Sequence, residues 1–238
     1  MKKTQLISII FIILIYIIAS LIINKSYILP SIFEILISLK NIIISKEFII
    51  IVLSTLFRTL IGILISGVLA IILALLSYFN EKIRELFEPI YIFLKTIPNI
   101  TYIIVSLIWL GRSGSVILVS SLVVFPILYN SFLKGLLNID SNLINATRTF
   151  PGTVYFKIRR VFIPLIRNDI LLALNNACSL GFKVAIMAEI LSQINIGIGR
   201  ELYYAKINFM MADIFAWTII IIFISFIIDK IIDSFIEK

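Results

Sequence analysis

The sequence predicts an all-α integral membrane protein, a bundle of about six transmembrane helices forming one domain over residues 1–238. Composition carries the first part of that prediction. Hydrophobic residues are 61% of the chain and charged residues 14%, against roughly 45–50% and 25% in soluble domains. The mean hydropathy of +1.14 means more apolar surface than one globule can bury, which is the mark of a chain dissolved in lipid. Charge placement carries the second part. The net charge of +8 is spread over residues that flank apolar runs, a topology signal rather than a nucleic-acid patch. The chain holds no His and a single Cys, Cys178, so the commonest metal ligand and general base is missing and no intrachain disulfide can form. No metal site is expected.

The elements follow in order. Leu6–Ile23 is a first span of about 27 Å at 1.5 Å per residue. Lys2 and Lys3 precede it; its length and the lack of a small-residue cleavage site predict a retained helix rather than a signal peptide. After Pro30 and Ser31, apolar Ile32, Leu36, Leu39 and Ile43 alternate with Glu34, Lys40 and Asn41, an amphipathic helix at the outer surface. Phe48–Tyr78 is too long for one simple span. Arg58 is expected at the outer interface as an anchor, with Ile49–Phe57 continuing beyond the membrane, because an arginine at mid-membrane costs at least about 2.5 kcal/mol. Gly62, Ser66, Gly67, Ala70 and Ala74 supply a small-residue face for close packing.

Asn80–Glu88 is a short polar turn, and a third span runs from about Pro89 to Leu110. Lys95, near its inner end, is expected to snorkel to headgroups. Gly111-Arg112-Ser113-Gly114 is a tight turn. Ser115–Leu133 is the fourth span, Asn168–Leu191 the fifth, and Asp213–Ile232 the sixth, with Ser192–Ala212 a loop. Asp229 and Asp233 are expected at a solvated helix end. Lys and Arg are about twice as frequent on the side holding both termini, which predicts cytoplasmic termini.

The longest polar interval, Asn138–Pro164, falls on that inner side and holds Arg148, Lys157, Arg159 and Arg160. Asp140 or Ser141 can cap a short helix over Asn142–Phe150, Pro151-Gly152 ends it, and Thr153 can cap a second. In the second, Val154, Ile158, Val161 and Phe162 share one face, away from the basic residues. The stretch reads either as a basic inner loop obeying the positive-inside rule or as a helix–break–helix knob that fits a partner's groove.

Here the sequence resembles the membrane permeases of binding-protein-dependent ABC importers, in the nitrate/sulfonate/taurine branch. That family's inner loop carries Glu-Ala-Ala, a Gly after three residues and a closing Leu-Pro. This chain reads Asn145-Ala146-Thr147, has Pro151 where the Gly stands and Gly152 after it, and closes on Val161-Phe162-Ile163-Pro164. Ser54-Thr55-Leu56-Phe57-Arg58, Leu94-Lys95-Thr96-Ile97-Pro98-Asn99, Phe125-Pro126-Ile127, Ala188-Glu189-Ile190-Leu191 and Gly197-Ile198-Gly199 extend the likeness in family order over nearly the whole chain.

The resemblance implies a type I importer bundle in a bacterial cytoplasmic membrane. It implies two permease copies around one pathway, two cytoplasmic ATP-binding subunits and an external binding protein or lipoprotein, with no nucleic acid. Residues 138–164 are then the coupling loop, with Asn145, Ala146, Thr147, Arg148, Pro151, Gly152, Lys157, Arg159, Arg160 and Pro164 as its coupling residues. The chain has no G-x-x-x-x-G-K-[ST] loop, so no cofactor is expected on it; ATP and Mg belong to the ATPase, and the chain is not itself an enzyme.

Ionisable groups within spans are functional candidates. Lys183 and Glu189, with Asn176 and Ser179 on the same helix, are candidates for the translocation pathway, where Lys183 would favour an anion; the competing reading is a structural ion pair or interhelical bond. An ion-gradient carrier explains the same charges, but such carriers show internal repeats and none is visible. A membrane enzyme would need an interfacial cluster of acids, His or Cys, which the sequence lacks.

Overall fold

The computed structural model describes residues 3–140, 142–143 and 153–236. Helices account for almost all of them. Helix α1 (Lys3–Ile23) is the first span, and it ends at Asn24 with φ 45°. The amphipathic helix is α2 (Ile32–Ile44), fixed by a reciprocal box in which Ser31 caps Glu34 N–H and Glu34 accepts from Ser31 N–H. Helix α3 (Phe48–Phe79) is continuous over 32 residues, about 48 Å.

The expected third span is interrupted. Helix α4 (Glu81–Thr96), capped by Asn80, stops at Ile97, which is extended, because Pro98 disfavours a helical residue before it. Helix α5 (Asn99–Leu137) begins directly after and runs 39 residues, broken at Gly111 with φ 66° and ψ −169°. Straight, it would reach about 58 Å, nearly twice the hydrocarbon core. It folds back instead: Tyr102 and Ile103 share a buried cluster with Val116 and Val119. The expected turn is therefore at Gly111, a backbone shape that suits glycine. Residues 99–110 complete the third span begun by α4, and residues 112–137 are the fourth.

After the polar stretch comes α6, a helical run with an α-turn (Val154–Lys157), a π-turn (Ile158–Phe162) and a last turn (Ile163–Leu165). Helix α7 (Arg167–Ser192) is the fifth span and α9 (Met211–Ile236) the sixth. The intervening segment is not the simple loop expected; it contains α8 (Ile198–Ile207). Four helices, α3, α5, α7 and α9, are each long and apolar enough to cross a membrane.

The centre of the bundle is α3 against the second arm of α5 and against α7. The small-residue face does what its composition predicts. Gly62, Ser66, Ala70 and Ala74 are buried, and a Cβ on Gly62 would stand 2.1 Å from Ser120 Oγ. The approach lets Ser121 Oγ donate to Gly62 carbonyl at 3.0 Å and Ser66 Oγ to Ser121 carbonyl at 2.7 Å, so hydroxyls join the two helices. Leu60, Leu64, Ile222 and Phe223 stay exposed on the periphery, where lipid is the solvent. Asp233 is exposed near the end of α9, as expected, and Asn175 Nδ2 donates to it at 2.8 Å, tying α9 to α7.

Candidate functional site

On the basic side of the bundle, Thr153 starts α6 as predicted, its hydroxyl accepting from Phe156 N–H at 3.3 Å. Phe162 is buried and packs edge-on against Tyr78 and Phe79 at 5.5 and 5.4 Å. It anchors α6 to the end of α3, while Ile158 and Val161 are half-buried. Pro164 has no N–H for an α-helical bond, and the π-turn before it, closed by Ile163 N–H to Ile158 carbonyl, absorbs that gap. The outer face of α6 carries Tyr155 at 70% exposure, Phe156 at 53%, and exposed Arg159 and Arg160; Lys157 is half-buried and Pro164 exposed. Two aromatic rings beside two guanidinium groups make a surface suited to a partner rather than to water alone. Asp140 caps Asn142 at 2.8 Å. Asn145, Ala146, Thr147, Arg148, Pro151 and Gly152 lie outside the described residues, as does the side chain of Val154.

On α7, helical spacing sorts the polar residues. Ala173, Ala177, Val184, Ala185 and Ala188 are buried. Asn176 and Lys183 are exposed and Ser179 half-buried on the opposite side, with Met187 one turn beyond Lys183. Lys183 makes no ion pair with any described residue.

Glu189 sits elsewhere. Expected along the pathway, it is fully buried, and Arg58, expected at the headgroups, is turned inward onto it. Arg58 Nη1 donates to Glu189 Oε1 at 2.7 Å and Nη2 to Ile196 carbonyl at 2.9 Å. Thr55 Oγ1 and Gly199 N–H both donate to Glu189 Oε2 at 2.9 Å, and Ile198 N–H donates to Thr55 Oγ1 at 2.9 Å. The first N–H groups of α8 have no local capping side chain, so Thr55 and Glu189 cap them from two other helices. A Cβ on Gly199 would stand 2.3 Å from Glu189 Cβ, so the knot closes only around glycine. A buried carboxylate near the end of its span, with both oxygens engaged, holds the far-side segment to α3 and α7. Opposite charges near the same ends of two spans were the available signal, but their adjacency is not written in the sequence.

The family model of the binding-protein-dependent transport system inner membrane component matches residues 66–237. A putative aliphatic sulfonates transport permease protein, SsuC of Bacillus subtilis, is 23% identical over 212 residues, covering 88% of this chain and 75% of that protein. A putative ABC transporter permease protein of Methanocaldococcus jannaschii is 27% identical over 175 residues, 73% of this chain and 65% of its own length. The glycine betaine/carnitine transport permease protein GbuB of Listeria monocytogenes is 23% identical over 187 residues, 76% of this chain and 65% of that protein. Among solved structures, an inward-facing form of the MetNI methionine ABC transporter matches with a TM-score of 0.65 at 15% identity, covering 82% of this chain and 98% of that one, a likeness of fold. The family match spans most of the chain and agrees with the multi-pass helical bundle. The chain belongs to the binding-protein-dependent transport system inner membrane component family, the inner-membrane permeases of ABC importers.

Proposed function

We propose that this chain forms the translocation pathway of an ATP-driven importer. Two copies enclose the pathway, two cytoplasmic ATPase subunits dock on residues 138–164, and an external binding protein delivers a small solute. Both termini are cytoplasmic. The observation that carries this reading is the family match over residues 66–237. The exposed face of α6, with Tyr155, Phe156, Arg159 and Arg160, supports the docking role. ATP binding closes the ATPases, the docking helices carry that movement into the bundle, and the pathway alternates between its two sides. The nucleotide and its Mg stay on the ATPase, since this sequence has no phosphate-binding loop. Asn176, Ser179 and Lys183 face the pathway. A lysine there favours an anionic solute, in keeping with the sulfonate permease among the relatives.

The test is purification of the tagged chain from its native membrane in mild detergent, with its companions identified by mass spectrometry. A soluble protein with a Walker loop, together with a solute-binding protein, is the expected result. Arg159→Glu with Arg160→Glu is expected to lose the ATPase while the permease still folds. Uptake that persists without ATP, by a chain that purifies alone, would overturn the proposal.

A further inference from the structure

The break in the third span opens a cavity. Between the end of α4, the start of α5 and its second arm lies a groove of about 450 Å³, lined by Tyr91, Lys95, Asn99, Asn130 and Ser131, with Val123 and Leu180 among its apolar walls. This volume falls in the range of small-molecule sites, roughly 300–1,000 Å³.

Lys95, Asn99, Asn130 and Ser131 are unspent. None of them makes a side-chain hydrogen bond or ion pair with another described residue, whereas Ser66, Ser120 and Ser121 each return a bond to a helix carbonyl. At about 1.5 Å per residue, Asn99 and Asn130 lie roughly 18 and 28 Å of helix from the Gly111 turn, within the span of an approximately 30 Å hydrocarbon core. Polar groups at that depth are costly unless they face a water-filled path or a ligand. Lys95 is therefore not simply snorkelling past the bundle. It lies two residues before the Ile97–Pro98 break, and Lys95 and Asn99 line the groove from either side of that break. Leu180 joins the groove to α7, and Asn176 and Lys183 stand one turn to either side of Leu180 on that helix.

The lining also selects chemistry. Among the described residues it has an ammonium, two amides and two hydroxyls, Ser131 and the Tyr91 phenol, and no carboxylate. Tyr91 is its single aromatic residue, too few for the cage that holds a quaternary ammonium. We propose that the groove at the Pro98 break is a solute-binding site for a small organic oxyanion, with the acidic head on Lys95, Asn99, Asn130 and Ser131 and a short apolar tail against Val123 and Leu180. Its role as a station in transport rests on the permease reading above.

The probe is trifluoromethanesulfonate, followed by fluorine NMR line broadening. The sample is the full chain in phosphatidylcholine nanodiscs, purified with whatever subunits accompany it. Wild type is expected to broaden the line, ethanesulfonate to compete and choline not to. Lys95→Gln and Asn130→Leu are each expected to weaken binding about tenfold, the loss of a charge-assisted or buried hydrogen bond. Lys95→Arg is expected to hold it within about threefold, and Lys40→Gln on the amphipathic helix to leave it unchanged. No saturable broadening by wild type, equal binding by Lys95→Gln, or competition by choline would overturn the site. The permease reading fails by a different result: a wild-type preparation without an ATPase, whatever the probe does.

Discussion

At the far side of the bundle, both carboxylate oxygens of Glu189 are engaged by Thr55, Arg58 and Gly199. In the groove at the Pro98 break, Lys95, Asn99, Asn130 and Ser131 make no bond to one another or to any other described side chain. Both sets lie in spans, where a polar atom without a partner is expensive. The first set has been spent on the fold, and its loss should be read as lost stability. The second set is held in reserve, and its loss should be read as lost binding. Ionisable character in a span does not by itself distinguish the two; the hydrogen-bond inventory does.

The largest expected effect breaks the knot. Glu189→Ala leaves half-buried Arg58 without its carboxylate and α8 without its cap, and should cost about 3–5 kcal/mol of stability, seen as a lower unfolding midpoint in detergent. Arg58→Leu with Glu189→Leu should recover much of that loss. If Glu189→Ala unfolds like wild type and only transport fails, the division between spent and reserved groups collapses. A smaller effect sharpens the same point: Gly199→Ala presses a methyl toward Glu189 Cβ and Ile186 carbonyl and should cost about 1–3 kcal/mol by overpacking.

On the basic side, Arg159→Glu with Arg160→Glu should change the unfolding midpoint by less than about 0.5 kcal/mol equivalent, because both side chains are exposed, while removing the ATPase from the purified complex. The smallest effect is at α2. Hydrogen bonds from Ser26 hydroxyl and from Ser31 N–H and hydroxyl hold Glu34 below the ordinary carboxylate range. A depressed folded value means the capping bond is fully present above the unfolded value, about 4.3, and is lost as pH falls through the folded one. Hydrogen exchange in the first turn of α2 should therefore quicken below that pH, and Glu34→Gln should remove the pH dependence while keeping an acceptor.

Much of this was legible beforehand. The spans follow from apolar runs, the α2 start from Ser31 and Glu34, the α6 start from Thr153, the hairpin in α5 from Gly111 and the α3 packing face from its small residues. Each is a local rule with a local cause. Pro98 is equally visible, yet one proline does not say whether a span bends or breaks, so the groove beside Lys95 is not legible in the sequence. Helix α8 has no local start signal, because its cap comes from Thr55 and Glu189 instead of its own flanking residues. The bond from Asn175 to Asp233 is equally silent in the sequence, because the two residues lie on different helices.

The sequence by itself determined the solvent of this protein, its helices and where its basic residues cluster along the chain, because hydropathy, periodicity and charge pattern act over a few neighbouring residues. Only the tertiary structure decided which polar groups are satisfied. Glu189 and Arg58 meet across 131 residues, and the Lys95 groove exists only where the broken third span, the fourth and the fifth come together. Satisfaction depends on distances between helices, and those distances are set by packing rather than by any stretch of chain.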